Sequence, residues 1–196
     1  MVRASTLLNF AMIGWDFRAW YDDAREAIRE HCAEHGWEPD RFAEVMALTS
    51  PRVQVSRNLF ATLQYMRTGS LPRGTMRSTR KALSNWELGK GIAGRKTGPF
   101  ADALKGNKDA LVLDVWMAEA LGVDQRVVTR LDIGAMAMRR MRSVADTLGC
   151  TIAEAQAAVW CGIILTKNRQ PARFERAVDG KWGLNTRASK LMFGGM

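Results

Sequence analysis

A lysine followed eighteen positions later by an aspartate is the pairing in this chain best suited to chemistry. Lys96 closes the run Gly91-Ile92-Ala93-Gly94-Arg95-Lys96-Thr97, and Asp114 sits in Val112-Leu113-Asp114-Val115. An amine placed beside other cations and partly out of water has a lowered pKa and becomes a nucleophile able to form a Schiff base. A carboxylate nearby stabilises a cationic, sugar-like transition state or takes the proton of the attacking group. The glycine-rich turn before the lysine would open a helix. Its free backbone N–H groups, with Arg95 and Lys96, are suited to an anion such as phosphate. The plainer alternative is that Lys96 only neutralises phosphate and Asp114 only caps its helix.

The elements that would position this pair are helical almost throughout. Phe17, Trp20, Tyr21, Ala24 and Ile28 form one face of a first long helix, which Gly36 is placed to end before a restart at Trp37-Glu38-Pro39. Phe42, Val45, Met46 and Leu48 continue on a second helix. Thr49-Ser50-Pro51 reads as a cap followed by proline at the first helical position of a third, running through Met66. Residues 79–88 and 96–104 read as helices on either side of the turn at 91–94, a hairpin of helices. Asp114 starts a helix over 115–121, and two more follow at 133–148 and 151–165. The last opens with a capping box, Thr151-Ile152-Ala153-Glu154. Met136, Met138 and Met141 read as adaptable core filler. No alternating strand pattern exceeds residues 110–113. The expected class is all-α, with a single helical domain over 1–166 and a basic extension over 167–196.

Composition agrees with a nucleic-acid partner. The 196 residues hold 29 Lys+Arg against 20 Asp+Glu, a formal net charge of +9 and a pI near 10.0. Such an excess favours phosphate through counterion release and electrostatic steering. Beyond residue 167 the cations Lys167, Arg169, Arg173, Arg176, Lys181, Arg187 and Lys190 face Glu175 and Asp179, with Phe174, Trp182 and Phe193 interleaved. This pattern reads either as a DNA-contacting tail or as a solvated one. Cys32, Cys150 and Cys161 are odd in number and lack metal-ligand spacing, which points to a reducing cytoplasm, with no metal and no cofactor expected. No run of eighteen apolar residues exists, so no membrane segment or export signal is expected. A monomer is the expected state.

The segment around Lys96 and Asp114 resembles the catalytic segment of the helix-hairpin-helix DNA glycosylases of the endonuclease III type. The resemblance covers roughly residues 42–122 and includes Met46-Ala-Leu-Thr-Ser-Pro-Arg-Val-Gln-Val55-Ser56-Arg57-Asn58, which is similar to the family's DNA-facing helix. It implies a compact helical fold with two lobes flanking a DNA-binding cleft, Lys96 as the nucleophile at the sugar C1′ and Asp114 as the assisting carboxylate. Gly91, Gly94, Arg95, Thr97, Arg52 and Asn58 become the implied DNA contacts. The sequence departs from the pattern at Ile92, which stands where the first hairpin glycine would be, at Pro51 in place of a glutamine, and at Trp116. The family's four-cysteine iron–sulfur motif is absent.

An enzyme acting on a base inside a duplex must extrude it into a pocket. Trp116, Gln156 and Trp160 are the candidate lining. Three functions follow from these readings. The first is N-glycosidic excision of an altered pyrimidine, with or without strand cutting. The second resembles phage thymine-hypermodification enzymes, which attach an amino acid or amine to an activated 5-hydroxymethyluracil in DNA. The third is a non-catalytic helical DNA binder.

Overall fold

The computed structural model describes residues 2–171, and every regular element among them is helical. In chain order these are α1 (Ala4–Ile13), a 3-10 turn (Trp15–Phe17), α2 (Trp20–His35), α3 (Pro39–Thr49), α4 (Val55–Thr68), α5 (Arg77–Glu87), α6 (Thr97–Lys105), α7 (Val115–Leu121), α8 (Leu131–Leu148) and α9 (Ile152–Thr166). The chain is all-α, as the periodicity implies. It divides into two compact units: one takes the chain up to Asp22 and again Gly94–Pro171, while the described part of the other is Asp23–Ala93. The division falls inside the region read from sequence as one domain ending at 166. Residues 172–196, most of the basic extension, lie outside the described residues.

The first unit is built around α9. Ala155, Ala158, Val159, Cys161 and Ile163 are all buried, so this helix is apolar around its whole circumference. Its start is the expected capping box. Thr151 Oγ1 accepts from the Glu154 N–H at 3.2 Å, and the Thr151 N–H donates to the Glu154 carboxylate at 2.8 Å. α1 crosses α9 at Gly162, where an added Cβ would collide with the backbone carbonyl of Phe10, so close approach of two backbones requires glycine there. Leu7, Met117, Leu121 and Met141 fill the space between α1, α7, α8 and α9, and Met138 packs against the same cluster. α1 is not anticipated by the sequence pattern. Its ten residues carry no charge, and its exposed positions are Ser5, Asn9, Met12 and Ile13, too weakly polar a face to mark its period.

In the second unit α3, α4 and α5 enclose Val45, Leu48, Tyr65 and Leu83. Proline at the start of α3 matches the expected restart. The expected start of the next helix at Pro51 is corrected: α4 begins at Val55. Thr49 is the last residue of α3 and its Oγ1 lies 2.9 Å from the Val45 carbonyl, while Ser50 Oγ donates to the Ala47 carbonyl at 2.8 Å. Ser50 thus satisfies a C-terminal carbonyl of α3, and neither hydroxyl caps α4. Arg52, at φ 60°, then reverses the chain.

Among the described residues no single helix is long and apolar enough to cross a membrane; α8 and α9 would pass only as a pair, and they are bent by 97°.

Candidate active site

Residues 110–113 are buried and non-helical, and they deliver Asp114 to the start of α7. Asp114 is extended and its Oδ1 accepts from the N–H groups of Trp116 and Met117, both at 3.0 Å, the geometry of an N-cap. Its Oδ2 accepts from the indole Nε1–H of Trp160 on α9 at 3.1 Å. An ionised carboxylate offers about four acceptor sites. Three are taken by these bonds, and a fourth, on Oδ2, has no partner among the described residues.

Lys96 is the residue before α6 and is half-buried. Burial lowers the pKa of its amine from the ordinary 10.5, and the charge of Asp114 pulls it partly back up. Cation and carboxylate therefore lie within electrostatic reach of each other, in one unit, although they are eighteen positions apart. The helix of Lys96 begins one position later than expected, at Thr97. Gly94, two residues before Lys96, has φ 126°, and a Cβ there would press on Thr97 Oγ1 at 2.7 Å. Arg95 is exposed and donates from Nη1 to the Thr129 carbonyl at 2.7 Å.

Behind the carboxylate lies a buried phenol. The Tyr21 hydroxyl donates to Gln156 Oε1 at 2.6 Å, and both residues are buried. Burial first, then the charges of Asp114 and Cys161, push the Tyr21 pKa well above 10.0, so it remains a neutral donor at all working pH. The ring of Trp20 lies 5.7 Å from that of Trp160 and 6.5 Å from that of Phe100, walling the same corner with aromatic surface. Of the three expected pocket residues, Trp160 bonds Asp114 directly, while Gln156 is buried with its Oε1 taken by Tyr21. Trp116 is half-exposed on α7, with the guanidinium of Arg169 over its ring at 5.5 Å. Lys167 pairs with Glu119 at 2.6 Å, so the first cations of the basic extension are engaged with α7.

Tyr21 and Trp20 are functional candidates that sequence reasoning places only on the core face of a first helix. The partner of Tyr21 is 135 positions away, and nothing local marks the pairing. Asn58 requires a correction. It is 3% exposed, its Nδ2 donates to the Met46 carbonyl at 3.0 Å, and its Oδ1 lies 2.6 Å from Thr49 Oγ1. The amide ties α4 to α3 in place of the expected contact with DNA. Arg52 is exposed in the turn before α4. Gly91, at φ 69°, lies in the nine-residue connection 88–96 between α5 and α6. This connection is longer than a tight hairpin. Ile92, where a hairpin glycine would stand, packs against the Val45, Leu48, Tyr65 and Leu83 cluster.

The chain belongs to DUF7178, a family of unknown function, whose profile matches residues 15–169. No curated protein and no solved structure matches it.

Proposed function

We propose that this DUF7178 member is a DNA-binding enzyme that acts on an altered pyrimidine flipped out of the duplex, with Lys96 as nucleophile and Asp114 as its assisting carboxylate. The observation that carries the reading is the pairing itself: an amine whose pKa is lowered by burial lies within electrostatic reach of a carboxylate with one acceptor site unused among the described residues. The net charge of +9 supports a polyanionic substrate.

In the first-choice reaction, N-glycosidic excision, the neutral Lys96 amine forms a bond to the sugar C1′ while the C1′–N bond to the base breaks and the base leaves with its electron pair. Asp114 stabilises the cationic sugar and accepts a proton from the attacking nitrogen; the departing base takes up a proton from solvent. Opening of the sugar ring then breaks C1′–O4′, protonates O4′ and leaves an iminium at Lys96. Trp160 holds the carboxylate by its indole N–H and is a positioning residue. Gln156 fixes the Tyr21 hydroxyl, and the Tyr21 ring packs edge-on against Trp20.

A second reading is favoured by one observation, the long 88–96 connection with Ile92 packed inward in place of a hairpin glycine. It is a transferase that attaches an amine or amino acid to an activated 5-hydroxymethyluracil base. Incubating the protein and free amino acids with duplex DNA that carries 5-hydroxymethyluracil, native or activated at its hydroxymethyl group, separates the readings by nucleoside mass spectrometry. Excision releases a free base and leaves an abasic sugar. Transfer gives a heavier nucleoside. A DNA binder without chemistry gives neither, and that result would overturn the proposal.

A further inference from the structure

The second unit contains a constellation that the Lys96 chemistry does not use. At the end of α2, His31, Glu34 and His35 are spaced i, i+3 and i+4, which puts all three side chains on one face of the helix. One ligand-capable atom of each lies within 4.8 Å of the other two. Two ligands of one tetrahedral zinc ion sit about 3.4 Å apart, given bonds of about 2.0–2.1 Å. Small rotations of Glu34 and His35, both exposed, would close the difference.

A second observation points the same way. His31 is 7% exposed, yet its Nε2 is buried with no hydrogen-bond partner among the described residues. Buried imidazole nitrogens ordinarily have a partner, so an unsatisfied one beside two further donors marks a place for a ligand. His35 is arranged to match. Its Nδ1 lies 3.0 Å from the His31 carbonyl, and donation there leaves the Nε2 lone pair free, as metal-ligating histidines commonly have it. After Gly36 the chain turns back, with the Trp37 N–H on the Cys32 carbonyl at 2.9 Å. The indole thereby comes within 4.8 Å of the His35 ring and 5.7 Å of the His31 ring. Phe42 adds a further apolar wall 6.3 Å from His31.

We propose that His31, Glu34 and His35 bind one divalent transition-metal ion, zinc by the character of the donor set. Two imidazoles and one carboxylate suit zinc and leave a fourth position open. Spanning positions 31 to 35, the ion would staple the last turn of α2 next to the start of α3. Neither the cysteine spacing nor the resemblance to glycosylases anticipates it.

The test uses the untagged full-length chain stripped of metal with a chelator and titrated with zinc against a chromophoric competitor. One equivalent per chain is expected, with a rise in melting temperature on zinc addition. Because Glu34 and His35 are exposed, His35→Ala and Glu34→Gln leave the helix intact, which circular dichroism checks. Zinc affinity should fall by about a hundredfold in the first and about tenfold in the second, outcomes of about 2.7 and 1.4 kcal/mol. Absence of stoichiometric zinc in the native chain, or affinity unchanged in His35→Ala, would overturn the proposal.

Discussion

Each unit of this protein holds a polar cluster, fully buried in the second and half-buried in the first, and the two clusters differ in what they leave unsatisfied. In the second unit Thr49, Asn58 and Thr62 bond to one another and to helix carbonyls: Asn58 to Met46, Thr62 to the Asn58 carbonyl at 3.0 Å, and the Thr49 and Thr62 hydroxyls to each other at 3.1 Å. All three side chains are neutral and each has at least two hydrogen-bond partners, which is how a buried network locks two helices in register. In the first unit the cluster has a carboxylate with one acceptor site unused among the described residues and an amine whose charge burial disfavours. A buried polar group with capacity left over costs stability and suits chemistry; one with none left is structural. On that criterion Lys96 and Asp114 are the candidates, and Asn58 is not.

The largest expected effect is on turnover. If the Lys96 pair is catalytic, Lys96→Ala and Asp114→Asn should each reduce turnover by at least about a hundredfold while the fold and most DNA affinity persist. Product formation measured by nucleoside mass spectrometry checks this, and full activity in both variants would erase the difference between the clusters. The opposite pattern is expected of Asn58→Ala. It removes the amide N–H that the Met46 carbonyl accepts and one partner of the Thr49 hydroxyl, costing about 2 kcal/mol in urea unfolding with turnover per folded molecule unchanged.

A smaller effect sharpens the role of Trp160. Phenylalanine keeps the aromatic bulk against Trp20 but removes the indole N–H that orients Asp114 Oδ2. Loss of one hydrogen bond of about 1 kcal/mol predicts roughly a fivefold drop in turnover, with DNA binding unaltered. A fall in stability alone, without change in rate, would make Trp160 a core residue only.

The smallest effect is a shift in a pH profile. The negative charge of Asp114 supports the protonated form of Lys96 against burial. Asp114→Asn removes that support, so the amine pKa falls further below 10.5 and the neutral, reactive form appears at lower pH. Acylation of Lys96 followed by peptide mass spectrometry should show an ascending limb displaced to lower pH in the variant. A displacement to higher pH, or none, would mean that the two groups do not sense each other.

Much of this arrangement is legible in the sequence where the signal is local. The capping box at Thr151 and Glu154, the proline opening α3 and the cap at Asp114 each satisfy backbone groups within three residues, so spacing alone identifies them. The misreadings share a cause. Thr49 and Ser50 look like a helix start because the same hydroxyls serve either end of a helix, and their place at the end of α3 depends on where α4 docks. Asn58 looks like a DNA contact because a polar residue on an amphipathic helix gives no sign of its partner on the preceding helix. Tyr21 and Gln156 meet across 135 positions through tertiary packing, which no periodicity encodes. The division at Asp22 and Gly94 is equally invisible, because α2 runs through the first boundary as an uninterrupted helix.

Reductive trapping tests the central claim most directly. Duplex DNA carrying 5-hydroxymethyluracil, incubated with the protein and borohydride, should yield a covalent protein–DNA adduct mapped by peptide mass spectrometry to Lys96 and absent from Lys96→Ala. No adduct from the native chain, or one formed equally by Lys96→Ala, would contradict a Schiff-base role for Lys96.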